Sequence, residues 1–223
     1  MSQIELIFLH LPKTGGSSVL QALNEVYGTE AVQHFERDEC MALIQKGKRI
    51  SDVLFSTTKV IHGHFLFSEI EDLVERDDPK LVTFMRQPNE RLISNYHWWK
   101  HTIEENPNHP VQYRRNETLE LYSSRVETQN KMSRFLMGAQ LDQFFFIGFL
   151  ERFERDIREL ANRLNWPEVQ IAHEKKRSED KKSIVRIEEG LMHEIEMRNQ
   201  KDWELYRSAQ KLLEFKNVKM GAP

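Results

Sequence analysis

The 223-residue sequence contains one cysteine, Cys40, which by itself excludes an intramolecular disulfide and a cysteine-based zinc site. A lone thiol also fits a reducing compartment. No run approaches the roughly 20 consecutive apolar residues that a membrane-spanning helix needs. Excess charge of one sign is missing too: 32 Lys and Arg stand against 35 Asp and Glu, for a formal net charge of −3. That balance argues against a general nucleic-acid binder or an anionic-membrane binder, though not against a local basic site. There is no internal repeat, no low-complexity linker and no signal-peptide pattern ahead of the first apolar run. With 39% hydrophobic and 30% charged residues, the expectation is one polar, globular, cytoplasmic domain spanning residues 1–223.

What the sequence does have is concentrated near its start. Residues 4–9 form a short apolar run of the kind a buried parallel strand shows. Then comes His10-Leu11-Pro12-Lys13-Thr14-Gly15-Gly16-Ser17-Ser18, a turn that leads into a helix with apolar residues at 19, 20, 23, 26 and 27 and a stop at Gly28. The glycine pair permits backbone angles at which successive N–H groups converge on one anion. A helix N-terminus with hydroxyls and a lysine beside it is a cradle for phosphate or sulfate. A plain glycine turn between strand and helix is the alternative reading. The usual triphosphate loop places its lysine after the glycines. Lys13 precedes them here, and the Mg²⁺-binding pattern is missing.

The second chemical stretch is Val60-Ile61-His62-Gly63-His64. Alternate residues of an extended chain share a face, so the two histidines can point together, while Gly63 allows a close backbone approach. Three readings stand at this point: metal ligands without an evident third partner, ordinary polar residues at a strand end, or a catalytic base matched to neutral pH.

The third is Phe84-Met85-Arg86-Gln87-Pro88-Asn89-Glu90-Arg91-Leu92-Ile93-Ser94, following a strand predicted over residues 81–85. Pro88 suits the first position of a helix. Arg86 offers a forked, permanently charged donor at the strand end, with the short hydroxyl of Ser94 nearby. Arg91 reads equally as a functional residue or as an ion-pairing scaffold residue. Both anion motifs are strand–turn–helix units, and in a parallel sheet their loops leave the same edge, where open α/β sheets bind ligands.

Taken together these motifs resemble those of sulfotransferases that use PAPS (3′-phosphoadenosine 5′-phosphosulfate), in particular the carbohydrate branch that sulfates uronyl 2-hydroxyls. Residues 11–18 are similar to that family's 5′-phosphosulfate loop, and residues 84–94 to its 3′-phosphate element. The resemblance implies that Lys13, Thr14, Gly15, Gly16, Ser17 and Ser18 hold the phosphosulfate. It also implies that Arg86 and Ser94 hold the 3′-phosphate, that His64 is the base and that His62 is its helper. A late basic loop closing over the nucleotide would add Lys176 and Arg177. Asn130-Lys131-Met132-Ser133-Arg134-Phe135-Leu136-Met137-Gly138 and Asp202-Trp203-Glu204-Leu205-Tyr206 also resemble family segments, without an assigned role.

The implied fold is α/β: a P-loop-like, three-layer domain with a central, mostly parallel sheet flanked by helices. The implied reaction is transfer of a sulfuryl group from PAPS to an acceptor hydroxyl of a carbohydrate, releasing 3′,5′-ADP, with PAPS as co-substrate and no metal. Residues 97–116 read as a polar acceptor loop in which Trp98, Trp99, Arg114 and Arg115 would suit a sugar, while either tryptophan could equally be core. The run Phe144-Phe145-Phe146-Ile147-Gly148-Phe149-Leu150 reads as a buried central strand, and residues 187–215 as two closing helices. Two alternatives belong to other classes: a small-molecule kinase on the same architecture, and a non-catalytic module that binds PAPS or another anion.

Overall fold

In the computed structural model, which describes residues 3–167 and 187–220 and side chains as far as residue 215, β1 (Leu6–Leu9) is the middle strand of the sheet. All four of its side chains are buried, as a strand covered on both faces requires. Alternation sorts them. Leu6 and Phe8 join one apolar cluster and Ile7 and Leu9 the other, so the two faces of one short strand nucleate both halves of the core.

The other strands are β2 (Val32–Phe35), β3 (Val60–Gly63), β4 (Lys80–Met85) and β5 (Phe146–Phe149), in the order β2-β3-β1-β4-β5 with every pairing parallel. On the Leu6/Phe8 face lie α1 (Gly16–Tyr27) and α7 (Phe153–Arg163). On the other face pack α2 (Arg37–Gln45), α3 (Glu71–Asp77), α6 (Lys131–Phe135) and α9 (Gln200–Met220). A smaller cluster of Leu92, Tyr96, Tyr122 and Ile195 ties α4 (Pro88–Glu105) to α5 (Leu119–Ser124) and α8 (Glu189–Arg198). The three-layer α/β expectation therefore holds.

Two sequence readings need correction. The phenylalanine run does not make a central strand: β5 is at the sheet's edge, and the apolar run reflects burial by layers above and below it. Gly148 is required there by Phe84, whose ring would come within 2.5 Å of any β-carbon. The stretch 97–116 is not one loop, because α4 continues unbroken to Glu105 and only the remainder is turns and a short 3-10 segment over Gln112–Arg114. Polar residues on the solvent side of a long helix look like a loop when read without their buried partners Tyr96 and Ile103.

The register places the four functional strand ends side by side. Leu9 pairs with Gly63 on one side and Thr83 on the other, and Gly63 pairs with Phe35. Gly63 is a packing requirement here, since a β-carbon would lie 2.3 Å from the Phe35 carbonyl.

The two segments left without a role are the clamp that closes the fold. Asp202 on α9 accepts from the backbone N–H of Met132 (3.1 Å) and Ser133 (2.8 Å) at the start of α6, and from the Ser133 hydroxyl. Asn130 donates to Asn199 Oδ1 and to the Arg198 carbonyl, and Trp203 Nε1 donates to Asn89 Oδ1 on α4.

Candidate active site

The loop after β1 is shaped by two left-handed residues, Lys13 at φ 71° and Gly15 at φ 89°. Thr14, fully buried, closes the turn by donating its hydroxyl to the Leu11 carbonyl at 2.7 Å. Its side chain thus faces inward, and what it offers a ligand is its backbone. Gly16 opens α1, and a β-carbon there would meet the His10 ring at 2.1 Å. The first turn of α1 has no acidic residue, and Gly15 supplies no side-chain cap. The amide hydrogens of a helix's first turn point out of its N-terminal end, a geometry that suits an anion. Ser17 is exposed and Ser18 buried. The loop thus brings a left-handed turn onto a helix N-terminus, the general form of an anion cradle.

Arg86 follows β4 and reaches Glu90 Oε2 across one helical turn at 3.4 Å, a loose contact. Desolvation holds its pKa below the usual guanidinium value. Its turn is fixed from behind by Glu151, which accepts the Gln87 N–H at 2.6 Å. Glu90, Ser94 and Trp98 recur at four-residue spacing along one stripe of α4. At one end of the stripe Glu90 meets Arg86, and at the other Lys13 Nζ lies 5.7 Å from the Trp98 ring centroid. These two ends of the stripe, Glu90 and Trp98, are eight residues or about 12 Å apart at 1.5 Å per residue.

Around the strand ends four imidazoles are packed together, two of which the sequence did not single out. His10 stacks on His64 with ring centroids 4.1 Å apart and lies 5.0 Å from His62, which lies 4.9 Å from His34. His34 and His62 are direct cross-strand neighbours on β2 and β3. Their signal in the sequence is that each sits at a strand's C-terminal end, which becomes visible only once the strand order is known.

His64 is the chemically available member. Its Nδ1 lies 2.8 Å from the His10 carbonyl. A carbonyl can only accept, so Nδ1 carries the hydrogen and Nε2 keeps its lone pair. Burial lowers the His64 pKa, partly countered by the bond to His10 and by Glu36, and so favours the neutral ring. His62 is fully buried, with Nε2 on the Gly16 carbonyl and Nδ1 on His34. It supports the loop and does not reach solvent. Burial pulls the pKa of both His62 and His10 well below the ordinary value, with neighbouring imidazoles adding to the effect. Among the described residues, no group of three or more His, Cys, Asp or Glu side chains is placed to hold a metal ion.

The other candidates divide. Arg91 is scaffold: fully buried, it donates to the Thr128 carbonyl at 3.3 Å and faces buried Asp202 at 3.9 Å, within ion-pair range but beyond a hydrogen bond. Trp99 and Arg114 are engaged with each other, the guanidinium 4.8 Å over the ring and also bonded to Glu117. Arg115 is exposed, and Trp98 is half exposed beside Lys13. Lys176 and Arg177 lie outside the described residues.

A family model described as "Sulfotransferase family" matches residues 2–207. Among solved structures, the chain is similar to a mouse sulfotransferase, SULT7A1, complexed with PAP, at 13% identity and a TM-score of 0.46. That match covers 87% of this chain but 64% of the other, so this chain spans a little under two thirds of its length. No curated protein matches.

Proposed function

Because this chain belongs to the sulfotransferase family, we propose that it transfers a sulfuryl group from PAPS to a hydroxyl of a carbohydrate acceptor, releasing 3′,5′-ADP. The observation that carries this reading is the fixed tautomer of His64, whose Nδ1–H is committed to the His10 carbonyl while Nε2 stays free to take a proton. The acceptor oxygen forms its bond to sulfur as the bridging S–O bond to the nucleotide breaks, and the hydroxyl proton passes to His64 Nε2. Lys13 and the amide hydrogens of the loop stabilise charge on the departing phosphate oxygen. Arg86 and Ser94 hold the 3′-phosphate, and the α4 stripe between Arg86 and Lys13 sets the span. As in phosphoryl transfer, placement and charge stabilisation supply most of the rate.

Support for a carbohydrate comes from the His62-Gly63-His64 resemblance and from the half-exposed Trp98 beside Lys13, a flat apolar face of the kind on which sugar rings stack. We place the reaction in the cytoplasm, in keeping with the lone, buried Cys40. The test is transfer of radiolabelled sulfate from PAPS to a panel of uronyl-containing oligosaccharides, with simple phenols and steroid alcohols in parallel. Labelling of the oligosaccharides alone supports the whole reading. Labelling of phenols alone removes the carbohydrate, and no labelling from PAPS removes the transferase.

A further inference from the structure

The cluster behind the loop has a proton arrangement that its acceptors dictate. His34 Nε2 lies 3.0 Å from Glu36 Oε1, and His34 Nδ1 lies 3.1 Å from the His62 carbonyl. A carboxylate and a carbonyl only accept, so both ring nitrogens of His34 carry hydrogens. The same Nδ1 is 2.9 Å from His62 Nδ1. His62 Nε2 in turn lies 3.2 Å from the Gly16 carbonyl, again an obligate acceptor, which leaves His62 Nδ1 as the lone pair facing His34. A line of contacts that starts on a carboxylate and ends on a carbonyl needs three N–H hydrogens from two rings. Two neutral imidazoles have only two.

We propose that a doubly protonated His34, held by Glu36, is a positioning residue for the nucleotide loop: it fixes the tautomer of His62, whose Nε2–H anchors the Gly16 carbonyl. Gly16 is the first residue of α1. Its peptide plane is rigid and trans, so drawing the carbonyl towards His62 directs the Ser17 N–H the opposite way, to the open end of the helix where an anion binds. Burial, which keeps His62 neutral, leaves the additional proton on the His34 side, beside the carboxylate. The other charged or titratable groups of the cluster are His10, Lys13, His64 and Arg37. Without the second hydrogen on His34, His62 is freed to change tautomer, the loop loses its anchor and anion affinity falls.

Only the identity of the loop's ligand rests on the sulfotransferase reading. The experiment therefore begins with ligand-free protein: long-range ¹H–¹⁵N spectra of ¹⁵N-histidine-labelled wild type and Glu36→Gln at pH 7. Glu36 is exposed, and glutamine preserves its size. In the wild type, His34 is expected to show two protonated nitrogens and His62 the Nε2–H form. In Glu36→Gln, His34 becomes neutral and His62 a mixture of tautomers. Affinity for 3′,5′-ADP and for inorganic sulfate then falls roughly fivefold, the order of one hydrogen bond's net worth. A neutral His34 in the wild type, or an unchanged His62 in Glu36→Gln, overturns the proposal. If the spectra behave as expected and sulfate binds while 3′,5′-ADP does not, the nucleotide assignment fails and the positioning role stands.

Discussion

His64 donates its Nδ1–H to the backbone carbonyl of His10 at 2.8 Å, and the two rings stack with centroids 4.1 Å apart. A residue on one strand end thus holds the imidazole on the next. Backbone carbonyls cannot be mutated away, so the tautomer of His64 is built into the pairing of β1 with β3. Removing the imidazole tests its role directly. His64→Ala is expected to lower kcat by about 10²–10⁴-fold, the usual worth of a general base, while 3′,5′-ADP binds with unchanged affinity. A rate within a few-fold of wild type would remove His64 from the chemistry.

The pH dependence follows from the same burial. The His64 pKa is lowered from 6.5, so the ring is neutral at pH 7 and protonates only on acidification. The acid limb of the kcat profile is therefore expected below about pH 6.5, and it should disappear in His64→Ala. Stability has the same sign for His10 and His62. Their folded-state pKa values are lowered well below 6.5, so the unfolded chain binds more protons as pH falls through that value. Their contribution is present at pH 7 and lost on acidification, which a set of melting curves from pH 7.5 to 5.5 would reveal.

Lys13 is held in a left-handed conformation at the mouth of the loop, against Trp98. Lys13→Ala is expected to lower turnover by about 10²–10³-fold, as loss of a charge-stabilising donor does. Lys13→Arg should recover little, because a planar fork does not replace a compact ammonium. Steady-state rates at saturating PAPS distinguish this from a mere loss of affinity.

The buried pair Arg91 and Asp202 is structural. Asp202→Ala leaves a fully buried guanidinium without its counter-charge and strips the start of α6 of its acceptor, so a loss of about 3–5 kcal/mol is expected in urea unfolding. Asp202→Asn keeps some of the acceptor geometry and should cost less. Equal stability of Asp202→Ala and wild type would contradict the clamp.

Much of this was legible in the sequence because glycines and strand ends carry local signals. The loop 11–18, the Arg86 turn and Pro88 at the first position of α4 each depend on residues within a few positions of one another. What sequence could not supply was strand order. Without it, His10 and His34 look unremarkable and β5 looks central, although it is an edge strand covered by layers. For the same reason Arg91 stayed undecided: its partner Asp202 lies on the last helix, and only the closed fold brings a charge from α9 to α4. Trp98 and Trp99 are adjacent in sequence, yet α4 turns one towards Lys13 and the other into the Tyr96–Tyr122 cluster.

The most direct test of the account is calorimetric titration of the protein with 3′,5′-ADP, beside 5′-AMP and ATP–Mg²⁺. Arg86 and the loop at the N-terminus of α1 are assigned to the two phosphate ends of one nucleotide. Binding of 3′,5′-ADP in the micromolar range is therefore expected, with 5′-AMP weaker by about 10–100-fold, the worth of a charge-assisted contact. Arg86→Ala should erase the difference between the two. Equal affinity for 3′,5′-ADP and 5′-AMP in the wild type, or tighter binding of ATP–Mg²⁺, would contradict the account and bring the kinase reading forward.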